Sequence, residues 1–134
     1  MPPDARRRAD ALSWFERADK DLWCSQIDLA ADPPAPEDAL YHCQQAAEKA
    51  LKGLLVWQDQ PFPKTHDLGR LGNQAVGLDQ TLESLVSEVV ELTKYAWIFR
   101  YPGEADEPSA IDAGAVLRKV RAFVGAVKGR LSEG

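Results

Sequence analysis

The stretch from residue 39 to 56, ALYHCQQAAEKALKGLLV, constrains this chain more than any other. Wound at 3.6 residues per turn, it puts Leu40, Cys43, Ala47, Ala50, Leu51 and Leu54 on one face. Half of that face is alanine or cysteine, so a neighbouring helix can come close to its backbone. Beside the seam runs an i, i+4 row of Gln44, Glu48 and Lys52. Glu48 precedes Lys52 in the favourable order for a helical ion pair, which is worth only about 0.2–0.5 kcal/mol at a surface. Gln44 is placed to hydrogen-bond across to another helix.

Three further long helical patterns surround this one. The first runs from about Arg8 to Ala31 and groups Leu12, Phe15, Leu22, Trp23, Leu29 and Ala30 on a broad face. Asp32-Pro33-Pro34-Ala35-Pro36 stops it, because proline lacks the donor and clashes with the preceding turn. The helix containing residues 39–56, second in order along the chain, starts near Pro36 or Glu37, where acidic residues suit the positive end of the helix dipole, and ends near Gln58. Residues 59–64, with Pro61 and Pro63, form a stiff extended link. Thr65 is the expected N-cap of a short helix from His66 to about Gln74.

The third long helix begins near Asp79 and carries Leu82, Leu85, Val86, Val89, Leu92, Thr93 and Ala96 as its stripe. It ends by about Arg100, since Pro102 disfavours helix at Tyr101. An acidic, proline-containing loop follows. Ser109 or Asp112 starts the last helix, whose face is Val116, Val120, Phe123, Val124, Val127 and Leu131. No strand-length alternation and no internal repeat interrupts the pattern. The expectation is an all-α, up-and-down bundle of four long helices plus one short helix, a single domain over residues 1–134 with its core at about 9–131.

Charge and cysteine usage exclude several functions. A formal net charge of −5 argues against coating of nucleic acid by a broad basic surface, although a local basic cleft fits an acidic body. No apolar run approaches the roughly 20 residues of a membrane helix. The arginines near the N-terminus precede no apolar segment, so no secretory signal is read there. Cys24 and Cys43 fit neither a zinc spacing nor a disulfide framework and read as reduced thiols of a cytoplasmic protein. His42, the only histidine besides His66, is expected to point away from the packing face of its helix, so no metal site and no cofactor are anticipated.

Two residues stand out as candidates for chemistry. His66, flanked by Lys64, Thr65 and Asp67 at a helix start, reads as part of an anion site or as a residue pinning the proline-rich link to the bundle. Arg100 continues the buried-side stripe of its helix. It can bind phosphate, with Tyr101 stacking a base, or satisfy the last carbonyls of the helix. The four tryptophans read as packing or dimer contacts.

The order of these pieces resembles a known family. Asp21-Leu22 is followed by Cys43-Gln44-Gln45-Ala46-Ala47-Glu48-Lys49-Ala50-Leu51-Lys52. Lys64-Thr65-His66-Asp67-Leu68 comes next, then Tyr95 and Arg100-Tyr101-Pro102. Together, at these spacings, they look like a HEPN domain. The resemblance implies a four-helix bundle with an added short helix, commonly a homodimer, often encoded beside a minimal nucleotidyltransferase. Other members are metal-independent ribonucleases with an arginine followed, four to six residues later, by a histidine. Here YPGEADEPS follows Arg100, and no histidine lies beyond His66. The group expected to move protons in RNA cleavage is missing.

The motif match thus implies a non-catalytic module with a binding set of Gln44, Glu48, Lys52, Lys64, His66, Asp67, Arg100 and Tyr101. Its ligand would be a nucleotide or RNA, and its partners a second copy and a nucleotidyltransferase. The alternatives are a divergent ribonuclease toxin, as in toxin–antitoxin pairs, and a structural dimeric adaptor.

Overall fold

In the computed structural model, which describes residues 3–97 and 108–133, those periodicities become five α-helices. They are α1 (Pro3–Ala30), α2 (Pro36–Trp57), α3 (Leu68–Leu78), α4 (Glu83–Trp97) and α5 (Ala110–Gly129). Short 3-10 turns occupy Gln80–Leu82 and Arg130–Glu133. No strand occurs among the described residues. None of their helices is long and apolar enough to cross a membrane. Arg100 and Tyr101 lie outside the described residues.

The all-α bundle is therefore as expected, and α2 is its axis. Ala46, Ala47 and Glu48, and then the unbroken run from Ala50 to Leu55, are all buried. A helix buried on every side must be covered all round. Accordingly α2 packs against α1, α5, α3 and α4, most extensively against α1. The partners on α1 and α2 run in opposite order: Ser25 meets Cys43, Asp21 meets Lys49, and Phe15 meets Gly53. The two helices are thus an antiparallel pair.

The close approach expected from the small-residue face is realised on both helices. All six seam residues of α2 named above are buried. On α1 the buried face is Ala11, Phe15, Ala18, Leu22 and Ser25. This corrects the expected face, since Leu12 is 48% and Trp23 58% exposed and Ala30 is exposed. The reason is steric: where two backbones nearly touch, alanine and serine fill the interface, and the larger residues are displaced to its outside. At Gly53 a Cβ would stand 2.6 Å from the Phe15 ring and 3.2 Å from the Ala11 carbonyl oxygen.

The short helix is also shifted from its expected span. Asp67, not Thr65, is its N-cap, accepting from the Arg70 amide at 3.1 Å. Thr65 instead accepts from the Asp67 amide, forming the turn before the helix. The helix then runs on to Leu78 despite three glycines, Gly69, Gly72 and Gly77. Gly72 lies so close to α4 that a Cβ would sit 2.5 Å from Val86 Cγ1. Asp79 closes α3 and opens the next turn, accepting from the Thr81 amide and from Arg130 Nε. Its carboxyl is held below the usual range, first by the Thr81 hydroxyl and then also by the Arg130 guanidinium. Ser109 caps α5 through the Asp112 amide.

Gly53→Ala and Gly72→Ala are each expected to destabilise the fold by about 1–3 kcal/mol through overpacking. Gly125, with nothing within 4 Å of its would-be Cβ, serves as the contrast. Gly125→Ala is expected to stabilise by about 0.5–1 kcal/mol. Urea unfolding measures all three. For Asp79, a depressed folded pKa means its contribution is present above the ordinary aspartate range and is lost as pH falls through the folded value. Asparagine preserves the caps, so the melting-temperature gap between wild type and Asp79→Asn is expected at pH 7 and should close in acid.

Candidate functional site

Two carboxylates are buried along α1 and α2, Asp21 and Glu48. Each is bracketed by one lysine and one histidine. An ionised carboxylate taken out of water is costly unless paired and hydrogen-bonded, so these partners are obligatory rather than decorative.

Glu48 is 2% exposed. Lys52, one turn on, brings Nζ to 3.4 Å from Glu48 Oε2 and is itself buried. The ammonium is boxed by rings, 5.4 Å from the centre of Trp14 and 6.0 Å from that of Phe62. Those two rings meet edge to face at 6.3 Å. Cation–π attraction and the carboxylate together replace the water that Lys52 loses. Phe62 belongs to the proline-rich link, and Gln74 of α3 donates to the Pro61 carbonyl in the same link. The link is thereby fastened against α1 and α2 on one side and α3 on the other.

That fastening delivers His66 to the buried glutamate. Its Nδ1 lies 3.1 Å from Glu48 Oε2 and 3.3 Å from Oε1. An ionised carboxylate only accepts, so Nδ1 carries the hydrogen and Nε2 is left to the outside. The His66 side chain is 83% exposed. The result is an imidazole anchored from below and presented to solvent, a geometry able to bind an anion or to exchange a proton.

The remaining expected site residues divide plainly. Lys64 is exposed near His66 in the chain and makes no ion pair among the described residues. Asp67 is exposed and committed to capping α3. Gln44 is half-buried on α2 with no side-chain hydrogen bond among the described residues. The structure thus brings Glu48, Lys52 and His66 into one cluster. Arg100 and Tyr101, the last two members of the expected set, lie outside the described residues.

The second carboxylate is the feature that sequence reading missed. Asp21 Oδ1 receives His42 Nδ1 at 2.8 Å, and Asp21 Oδ2 receives Lys49 Nζ at 2.6 Å. His42 therefore does not point away from the bundle, as expected, but across to α1. Its Nε2 lies 3.5 Å from Asp38 Oδ2, one turn earlier on α2. Asp28 of α1 completes the group, with its carboxyl pushed up to about 6 by burial and then by the hydrogen bond and charge of Asp38. The i, i+4 spacing of Asp38 and His42 was visible in the sequence. Asp21 and Asp28 join them only through the α1–α2 register.

Cys43 adds no nucleophile. Burial pushes the Cys43 thiol up to about 11, with the Ser25 hydroxyl 3.3 Å away. A thiol so placed stays protonated and inert at neutral pH.

Removing Glu48 should be the more damaging change in the first cluster. Glu48→Ala leaves Lys52 buried without its counter-charge and is expected to cost about 3–5 kcal/mol. His66→Ala removes an exposed partner and is expected to cost about 1 kcal/mol or less. Equilibrium unfolding of both variants tests this ranking.

The HEPN domain family profile matches residues 11–130. No curated protein and no solved structure matches the chain.

Proposed function

The chain belongs to the HEPN domain family, and we propose that it serves as a non-catalytic binding module that holds a nucleotide or an RNA end and acts as a homodimer with a nucleotidyltransferase partner. The observation that carries the reading is the exposed His66 imidazole, fixed by a buried glutamate and close in the chain to exposed Lys64. A ring fixed in advance gives up little freedom when it takes a phosphate oxygen. Lys64, and Arg100 with Tyr101, would add charge and a stacking surface. Gln44 and Asp67 would contribute polar contacts at the edges. The exposed apolar residues Leu12, Trp23 and Ile27 on α1 offer area for a second copy or another chain.

A second reading keeps its own support. A buried carboxylate donating orientation to a surface histidine is also the arrangement of a general base, so a divergent ribonuclease would use Glu48 and His66 together. Against it stands the sequence after Arg100, which holds no histidine.

One set of proteins separates the two. Titration with a 5′-phosphorylated oligoribonucleotide should show binding that weakens with salt and falls about fivefold or more in His66→Ala and in Lys64→Ala. Arg130→Ala, whose side chain is engaged with Asp79, should bind as wild type. Incubation with RNA in metal-free buffer should leave the RNA intact. Cleavage lost in both His66→Ala and Glu48→Gln would install the enzyme reading instead. Light scattering on the same preparation should report a dimer at micromolar concentration. A monomer would remove that part of the proposal.

A further inference from the structure

We infer that Asp28, Asp38 and His42 form a binding site for one first-row divalent transition cation at the junction of α1 and α2. Each offers a ligand atom, and the three atoms lie within 4.8 Å of one another. Zinc–nitrogen and zinc–oxygen bonds of about 2.0–2.2 Å put neighbouring ligand atoms about 3.4 Å apart in a tetrahedral site and up to about 4.4 Å apart across an octahedral one. The His42 Nε2 to Asp38 Oδ2 separation of 3.5 Å already matches the first value. The three atoms lie within 4.8 Å, and Asp38, whose side chain is 57% exposed, has room to move toward coordination distance.

Orientation of the histidine distinguishes this group from a surface cluster of acids. Asp21 holds His42 Nδ1 at 2.8 Å, and Lys49 in turn holds Asp21. With Nδ1 donating to a carboxylate, the Nε2 lone pair is directed away from Asp21, on the side where Asp38 lies. A carboxylate behind a ligating imidazole is the usual outer support of a metal-bound histidine, setting its tautomer and raising its basicity. Asp28 supplies the second independent sign. Its Oδ2 is enclosed, and apart from the neighbouring Asp38 carboxyl it meets no hydrogen-bonding side chain among the described residues. Charge agrees as well: Asp21 is matched by Lys49, which leaves the Asp28 and Asp38 carboxylates to be neutralised by a doubly charged ion.

A nitrogen donor among oxygens selects zinc, nickel or cobalt over magnesium and calcium. The site lies on other side chains than the Glu48–His66 cluster, so it stands whether or not that cluster binds RNA. It spans the α1–α2 hairpin close to its loop, where a cross-link restrains both helix ends.

The test uses the untagged full chain, stripped with chelator and titrated with zinc alone by calorimetry, with cobalt absorption as a second readout. Wild type should bind one ion per chain, and cobalt should give a visible spectrum with nitrogen and oxygen ligation. Asp38→Asn, at an exposed position that leaves the fold intact, and His42→Gln should each weaken binding about tenfold or more. Glu37→Gln, beside the site and exposed, should not. Circular dichroism on the same samples establishes that the variants are folded. No binding, loss in only one of the two ligand variants, or displacement of zinc by equimolar magnesium would each overturn the assignment.

Discussion

The distance between α1 and α2 governs the rest of this structure. It is set where Gly53 admits the Phe15 ring and where alanines, a cysteine and a serine replace larger side chains along the contact. With the backbones this near, there is no room for water between them. Any polar group on the inner faces must find its partner across the seam. Ser25 does so by donating to the Ala39 carbonyl at 3.0 Å, with Cys43 Sγ beside it. Asp21 does so through His42 and Lys49. The polar pattern of the seam follows from its packing.

Glu48 extends that logic beyond the helix pair. Its lysine comes from its own helix, but its histidine comes from the link after α2, and the Lys52 ammonium is covered by Trp14 from α1 and Phe62 from the link. One buried charge therefore fixes α1, α2 and the connection to α3 relative to each other. It also sets how the surface displays His66, whose exposed ring is held at Nδ1 by Glu48. Stability and a usable surface group come from the same contact, and a change at Glu48 must disturb both.

The two carboxylate centres share a plan and differ in exposure. In each, a lysine balances the charge and a histidine takes the second hydrogen bond. His66 opens to solvent, where a phosphate-bearing ligand can reach it. His42 is more enclosed and faces two further carboxylates, an environment suited to a cation. The same dyad thus presents opposite electrostatic surroundings on the two parts of one helix pair.

Much of this was written in the sequence. The helical periods, the prolines that end α1 and start α2, the serine cap of α5 and the small-residue seam of α2 are local properties, and each was legible along the chain. So were Glu48 with Lys52, by their spacing, and His66, by its position at a helix start. Only the tertiary structure decided which face of α1 is inner. Residue size pointed to Leu12 and Trp23, whereas close packing requires Ala11 and Ala18. The structure also shows that Thr65 forms a turn and Asp67 the cap. It also decided that His42 turns to Asp21, 21 residues earlier in the chain. Periodicity reports a residue's angle about its own helix, but which carboxylate a histidine meets depends on the register between helices, and that register is set by packing.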